Sequence, residues 1–165
     1  NQPLQPALLF NDEIGSPLIS PQMYREFVFP YEKELAEFQG GVYYWHSCGN
    51  TTDLIQDLAA LPGLRMFHLG PDADLRTAVQ NLPPDVALDI CVQDVRDVYE
   101  ASDAEMRAKL RDIGRTAGLR RYFVRADEFA VIHTLEKDLA KMVRWVEIAR
   151  DGGMRNADFG TQGPS

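Results

Sequence analysis

Basic charge, cysteine and long apolar runs are all scarce in this chain. Lys and Arg number 17 against 25 Asp and Glu, a formal net charge of -8 over 165 residues. Such an acidic balance disfavours nucleic acid, whose binders present a basic face. The two cysteines, Cys48 and Cys91, are too few for a disulfide scaffold. No run approaches the roughly 20 apolar residues of a membrane span. The opening NQPLQPALLF has neither the basic region nor the apolar stretch of a secretory signal. A glycine-rich phosphate loop, a G-x-S-x-G elbow and a C-x-x-C pair are missing as well. The chain therefore reads as a cytoplasmic globular protein with no nucleic-acid or membrane partner.

What is present suffices for a core, since 45% of residues are hydrophobic and 25% charged. Short apolar runs rich in Val, Ile, Leu, Phe or Tyr recur at 7–10, 42–46, 65–69, 86–92 and 121–124. They read as buried strands. Helical patterns lie between them. Ser20-Pro21 reads as an N-cap followed by proline at the first helical position, leading into 22–28. Pro30 interrupts that helix, and 31–38 resumes it until Gly40-Gly41. Thr52 caps a helix through Leu61, and Asp72 or Asp74 caps a short one ending near Asn81. Ser102 with Glu105 forms a capping box for 104–116. Thr134 starts a last helix with Leu135, Leu139, Met142, Val146 and Ala149 as its apolar stripe. Five strands alternating with helices indicate an α/β protein with a parallel sheet. Residues 1–151 form the domain and 152–165 a flexible, glycine-rich tail. Alternation alone does not separate a doubly wound sheet from part of a barrel.

The strongest chemical signal is Tyr43-Tyr44-Trp45-His46-Ser47-Cys48-Gly49-Asn50. Residues i and i+2 of a strand point to the same side, so His46 and Cys48 can converge on one ion. Imidazole nitrogen and thiolate sulfur suit zinc. Gly49 permits a sharp turn after the second ligand. Cys91 ends another strand at the carboxyl edge where parallel sheets place their sites, as a ligand or as a small buried hydrophobe. Asp12 and Glu13 end the first strand, one of them binding metal or serving as acid or base. Glu13 has the longer reach. His68 ends the third strand and lines the pocket or serves structure. Arg125, in Arg125-Ala126-Asp127-Glu128, holds an anionic substrate group or a surface salt bridge. His133 and the pair Arg120-Arg121 read as surface residues.

Together these features resemble the uroporphyrinogen decarboxylase superfamily, which includes zinc-dependent corrinoid:thiol methyltransferases. The resemblance runs from Ala7 to Arg150. Ser20-Pro21, Pro30-Tyr31, His46-Ser47-Cys48-Gly49-Asn50, Leu88-Asp89-Ile90-Cys91 and the stretch from Tyr122 carry it. It implies the C-terminal portion of a TIM (β/α)8 barrel, about five parallel strands with flanking helices. His-x-Cys favours the methyltransferase branch, with Glu13, His46, Cys48 and Cys91 holding zinc and Asp12, His68 and Arg125 meeting substrate. A small-molecule methyl acceptor, and a corrinoid carried on a partner protein, are the implied reactants. The family's later cysteine usually follows the last strand, where this chain has Arg125-Ala126-Asp127-Glu128, so Cys91 would be a relocated ligand. The decarboxylase histidine of that loop is also missing. A non-catalytic barrel segment that binds a partner is the alternative, and a metal-free lyase using Asp12 the second. A complete barrel needs about 250 residues, so 165 imply self-association or part of a longer protein.

Overall fold

The structure, a computed structural model, describes residues 7–126 and 130–152. Asp127, Glu128 and all of the expected tail except Gly152 lie outside the described residues. Five strands form one sheet: β1 (Ala7–Phe10), β2 (Val42–His46), β3 (Met66–Leu69), β4 (Ala87–Val92) and β5 (Tyr122–Ala126). They run parallel in the order β1-β2-β3-β4-β5. A doubly wound sheet reverses its strand order at a switch point. Here the order never reverses, and right-handed crossovers then place every helix on the same face. That is the arrangement of a TIM (β/α)8 barrel, here represented by five consecutive strands.

The helices are α1 (Pro21–Phe27), α2 (Phe29–Gln39), α3 (Ile55–Leu58), α4 (Leu75–Asn81), α5 (Asp103–Ala117) and α6 (Leu135–Asp151). Ser20 caps α1 by accepting from Met23 N, Asp74 caps α4 through Thr77 N, and the Ser102–Glu105 capping box opens α5. Gly40, in the left-handed conformation, ends α2. The helix expected from Thr52 to Leu61 is instead a 3-10 turn, Thr52–Leu54, followed by the four residues of α3. The Thr52 hydroxyl donates to Asn50 Oδ1 and accepts from Asp74 N, which holds it to a loop contact in place of a cap. A π-helical turn over Val95–Tyr99, between β4 and α5, had no signal in the sequence pattern.

Alternation along the strands divides the sheet into two faces. Trp45, Phe67, Leu69, Leu88 and Ile90 face the helices and build the core, with the Trp45 and Phe67 rings stacked at 5.2 Å. The opposite face, the inside of a barrel, carries Phe10, His46, His68, Asp89 and Phe123, which strand register places in neighbouring positions. Leu8 and Phe10 are more than half exposed there.

Both flanks of the sheet present further apolar surface. Met23, Phe27, Tyr31, Leu35 and Phe38 are exposed on α1 and α2. On α6 the expected stripe is displaced: Ile148 is buried with Met142, Trp145 and Ala149 packed on the core, whereas Leu135, Leu139 and Val146 are exposed. The helix is apolar on two adjacent faces, and five strands cover only one of them. Arg120, expected at the solvent surface, donates to the carbonyls of Val79, Leu82 and Pro83 at the end of α4. No helix among the described residues is long and apolar enough to cross a membrane.

Candidate metal centre

The site is assembled where loops leave the carboxyl ends of β1, β2 and β3. Glycine backbones pack these loops together: a Cβ on Gly49 would stand 2.6 Å from Gly15 Cα, and one on Gly70 would stand 2.9 Å from Cys48 O. Gly49 is therefore required for close approach, not for a left-handed turn, since its φ is not positive. Ser16 N donates to Asn50 O at 2.8 Å and ties the first two loops. Beneath them, buried Glu32 accepts from Asn11 Nδ2 at 2.7 Å, Tyr24 Oη at 2.6 Å and Trp45 Nε1 at 3.3 Å. This knot fixes α2 against the ends of β1 and β2 and places Asp12 beside the β2 loop.

Asp12 Oδ1 accepts from Cys48 N at 2.9 Å and lies 3.5 Å from His46 Nε2. The chain thus turns after Ser47 so that Cys48 Sγ comes within 3.2 Å of His46 Nε2. The His68 ring stacks on His46 with centroids 4.2 Å apart. Among the described residues, His46, Cys48 and His68 form a group whose donor atoms all lie within 4.8 Å of one another. His68 is fully buried, and its Nε2 has no hydrogen-bond partner among the described residues. Burial and the neighbouring His68 push the His46 pKa below its ordinary value, which keeps the ring neutral and its lone pair available.

A second row of contacts backs the histidines. Tyr44 Oη donates to Asp89 Oδ2 at 2.6 Å and lies 3.1 Å from His46 Nδ1. His68 Nδ1 lies 3.1 Å from Asp89 Oδ2, and Arg125 Nε donates to Asp89 Oδ1 at 3.0 Å. Burial alone would raise the Asp89 pKa, but hydrogen bonds from His68 and Tyr44 and the Arg125 charge outweigh it and hold the carboxyl below its ordinary value.

The expected residues divide accordingly. His46 and Cys48 come together as the i, i+2 spacing implies. His68, expected to meet substrate, joins them. Asp12 lies at the rim. Arg125 is committed to Asp89. Glu13 is exposed on the 3-10 turn Asp12–Ile14, outside the donor group. Cys91 is also outside it, buried in β4 and paired in register with Arg125. The reason is topological. Cys91 stands two strands from β2, and strand spacing is about 4.8 Å. The adjacent strand β3 carries His68 between them.

The chain carries a family signature across most of its length. The family model described as Uroporphyrinogen decarboxylase (URO-D) matches residues 6–143. The chain belongs to the uroporphyrinogen decarboxylase family. That family is built on the TIM barrel, in agreement with the sequential parallel strand order. A comparison with individual curated proteins yields no significant match. The donor group lies at the carboxyl ends of β2 and β3, the edge at which TIM-barrel enzymes hold their active sites. Asp89 and Tyr44 were not among the expected site residues. Their one signal was a lone acid inside the otherwise apolar run Val86–Val92, two residues before Cys91.

Proposed function

We propose that this uroporphyrinogen decarboxylase family chain contributes a zinc-dependent methyl-transfer site, with His46, Cys48 and His68 as the protein ligands. One observation carries the reading: two imidazoles and a thiol converge, and the buried Nε2 of His68 has no partner. A buried polar atom left without a hydrogen bond costs about 1–3 kcal/mol, a cost that a bound cation removes. The donor set suits zinc. A tetrahedral zinc, with bonds of about 2.05 and 2.3 Å, holds nitrogen and sulfur about 3.5 Å apart, close to the 3.2 Å between His46 Nε2 and Cys48 Sγ. Three protein ligands with a fourth position open is the catalytic pattern for this ion.

Zinc bound there would supply the Lewis acidity that lowers the pKa of an acceptor thiol into the neutral range. The chain's own residues do the rest. His46 and His68 present ring nitrogens beside Cys48 Sγ, and Asp12 fixes the Cys48 backbone by accepting from its amide. A corrinoid carried on a partner protein would supply the methyl group. The acceptor thiol, its proton released to solvent, would form the new carbon–sulfur bond as the carbon–donor bond breaks with its electron pair left on the donor. Asp12 Oδ1 already accepts from Cys48 N, which favours this reading over a lyase that uses Asp12 as a free acid or base.

The exposed apolar flanks and inner face support a second element of the proposal: further β/α units complete the barrel around the site. Zinc content of the chain purified without chelator and dialysed tests the metal reading. One zinc per chain, lost in Cys48→Ser and in His68→Leu, is expected. Zinc absent from the native chain, or retained undiminished in both variants, contradicts the proposal.

A further inference from the structure

Hydrogen-bond donors around the two site histidines can be counted, and the count converges on one carboxylate. Asp89 is 2% exposed and faces the same inner surface as His46 and His68. An ionised carboxylate only accepts. Tyr44 has a single hydroxyl proton, and at 2.6 Å that proton belongs to Asp89 Oδ2. The Tyr44 oxygen is then an acceptor toward His46 Nδ1 at 3.1 Å, so Nδ1 carries the His46 proton and Nε2 the lone pair. Asp89 Oδ2 makes the same demand directly on His68, whose Nδ1 lies 3.1 Å away. Arg125 Nη2 also lies 3.1 Å from His68 Nδ1, and two donors facing one another gain nothing. The guanidinium is held in that place by its own bonds to the carboxylate, Nε to Oδ1 at 3.0 Å and to Oδ2 at 3.3 Å.

We infer that Asp89 is a positioning residue that sets the tautomer of both histidines, one through Tyr44 and one directly, so that each offers an Nε2 lone pair to the same point beside Cys48. The inference deepens the metal-site reading and rests on it for its purpose, although the tautomers themselves belong to the metal-free chain. Asparagine at position 89 cannot satisfy this arrangement. Its single carbonyl oxygen cannot serve Tyr44 and His68 on one side and Arg125 on the other. With its amide turned inward, it donates to Tyr44, whose hydroxyl then donates to His46 Nδ1.

Long-range proton–nitrogen correlation spectra of the metal-free, 15N-labelled chain at neutral pH read the tautomers directly. The sequence has 3 histidines, so assignment is tractable. His133 serves as the internal reference, because Asp138 meets its Nδ1 and Glu100 its Nε2. The native chain is expected to show the Nδ1–H form for His46 and His68. Asp89→Asn shifts both toward Nε2–H, Tyr44→Phe shifts His46 alone, and neither alters His133. Zinc titrations of the same samples add a second readout. Loss of such an outer contact weakens metal affinity about 10–100-fold, and that loss is expected for Asp89→Asn.

Nε2–H on His68 in the native chain, or unchanged tautomers in Asp89→Asn, overturns the inference. Should Asp89→Asn fail to fold, the selective effect of Tyr44→Phe on His46 decides. Zinc binding that is indifferent to Asp89 leaves the metal site standing and removes this role. Correct tautomers in a chain that binds no zinc leave the positioning intact and remove the metal reading.

Discussion

Replacing His68 with leucine separates a ligand from a core residue. His68 is fully buried, and its Nε2 is unpartnered, so leucine removes a polar atom that costs about 1–3 kcal/mol to bury unpaired. It also removes one contact from Asp89, which keeps those with Tyr44 and Arg125. These effects oppose each other and are similar in size, so the metal-free variant should match the native chain within about 1 kcal/mol. Zinc changes the comparison. Four-ligand zinc sites bind with about 10–16 kcal/mol, or roughly 3 kcal/mol per ligand, which is at least about 100-fold in Kd. At zinc 100 times the native Kd, binding stabilises the native chain by about 2.7 kcal/mol. A variant 100-fold weaker gains about 0.4 kcal/mol. For a chain of this size each kcal/mol moves Tm by about 2–4 °C. Thermal unfolding with and without zinc should therefore show a rise of about 5–11 °C for the native chain and about 1 °C for His68→Leu. Glu13→Gln and Cys91→Ala should keep the native rise. An equal zinc-induced rise in His68→Leu would refute the assignment.

Three other outcomes follow from the same contacts. Gly49→Ala places a Cβ 2.6 Å from the Gly15 backbone, so it should cost about 1–3 kcal/mol in urea unfolding and weaken zinc binding by displacing Cys48. Arg120→Ala leaves the carbonyls of Val79, Leu82 and Pro83 without their charged donor, and a loss of about 2 kcal/mol in the same assay is expected. The hydrogen bond to Asp138, reinforced by Glu100, raises the His133 pKa above its ordinary 6.5. This contribution is full below the unfolded pKa and disappears as pH rises through the raised folded value. His133→Gln should therefore destabilise the chain more at pH 5.5 than at pH 8.5, measured by chemical unfolding at both.

The elements that stood out in the sequence are those set by local chemistry. Ala7–Phe10 and Val42–His46 match their strands residue for residue because a short apolar run bounded by polar and turn-forming residues reads as a strand even where one face, as at Leu8 and Phe10, is exposed. The caps at Ser20, Asp74 and Ser102 were legible for the same reason, since a cap is a contact across three residues. The closeness of His46 and Cys48 was legible from their i, i+2 spacing, although β2 ends at His46 and the turn after Ser47, held by Asp12, completes it. What the sequence hid depends on strand order. His68 and Cys91 both lie near strand ends, but the sequential sheet brings β3 next to β2 and leaves β4 one strand further, so His68 and not Cys91 lies in the donor group with His46 and Cys48. Asp89 was masked because one acid in an apolar strand reads as an exception until its three partners, from β2, β3 and β5, are seen. The α6 stripe holds at Met142 and Ala149 but not at Leu135, Leu139 and Val146, because both of its apolar faces have helical spacing and spacing does not tell which one meets the sheet.

X-ray absorption at the zinc edge of the loaded chain tests the metal centre most directly. One sulfur and two imidazole nitrogens in the inner shell, with the sulfur lost in Cys48→Ser and one nitrogen in His68→Leu, is the expected result. Two sulfurs would restore Cys91 as a ligand, and a shell without imidazole would place the metal elsewhere; either contradicts the site built from His46, Cys48 and His68.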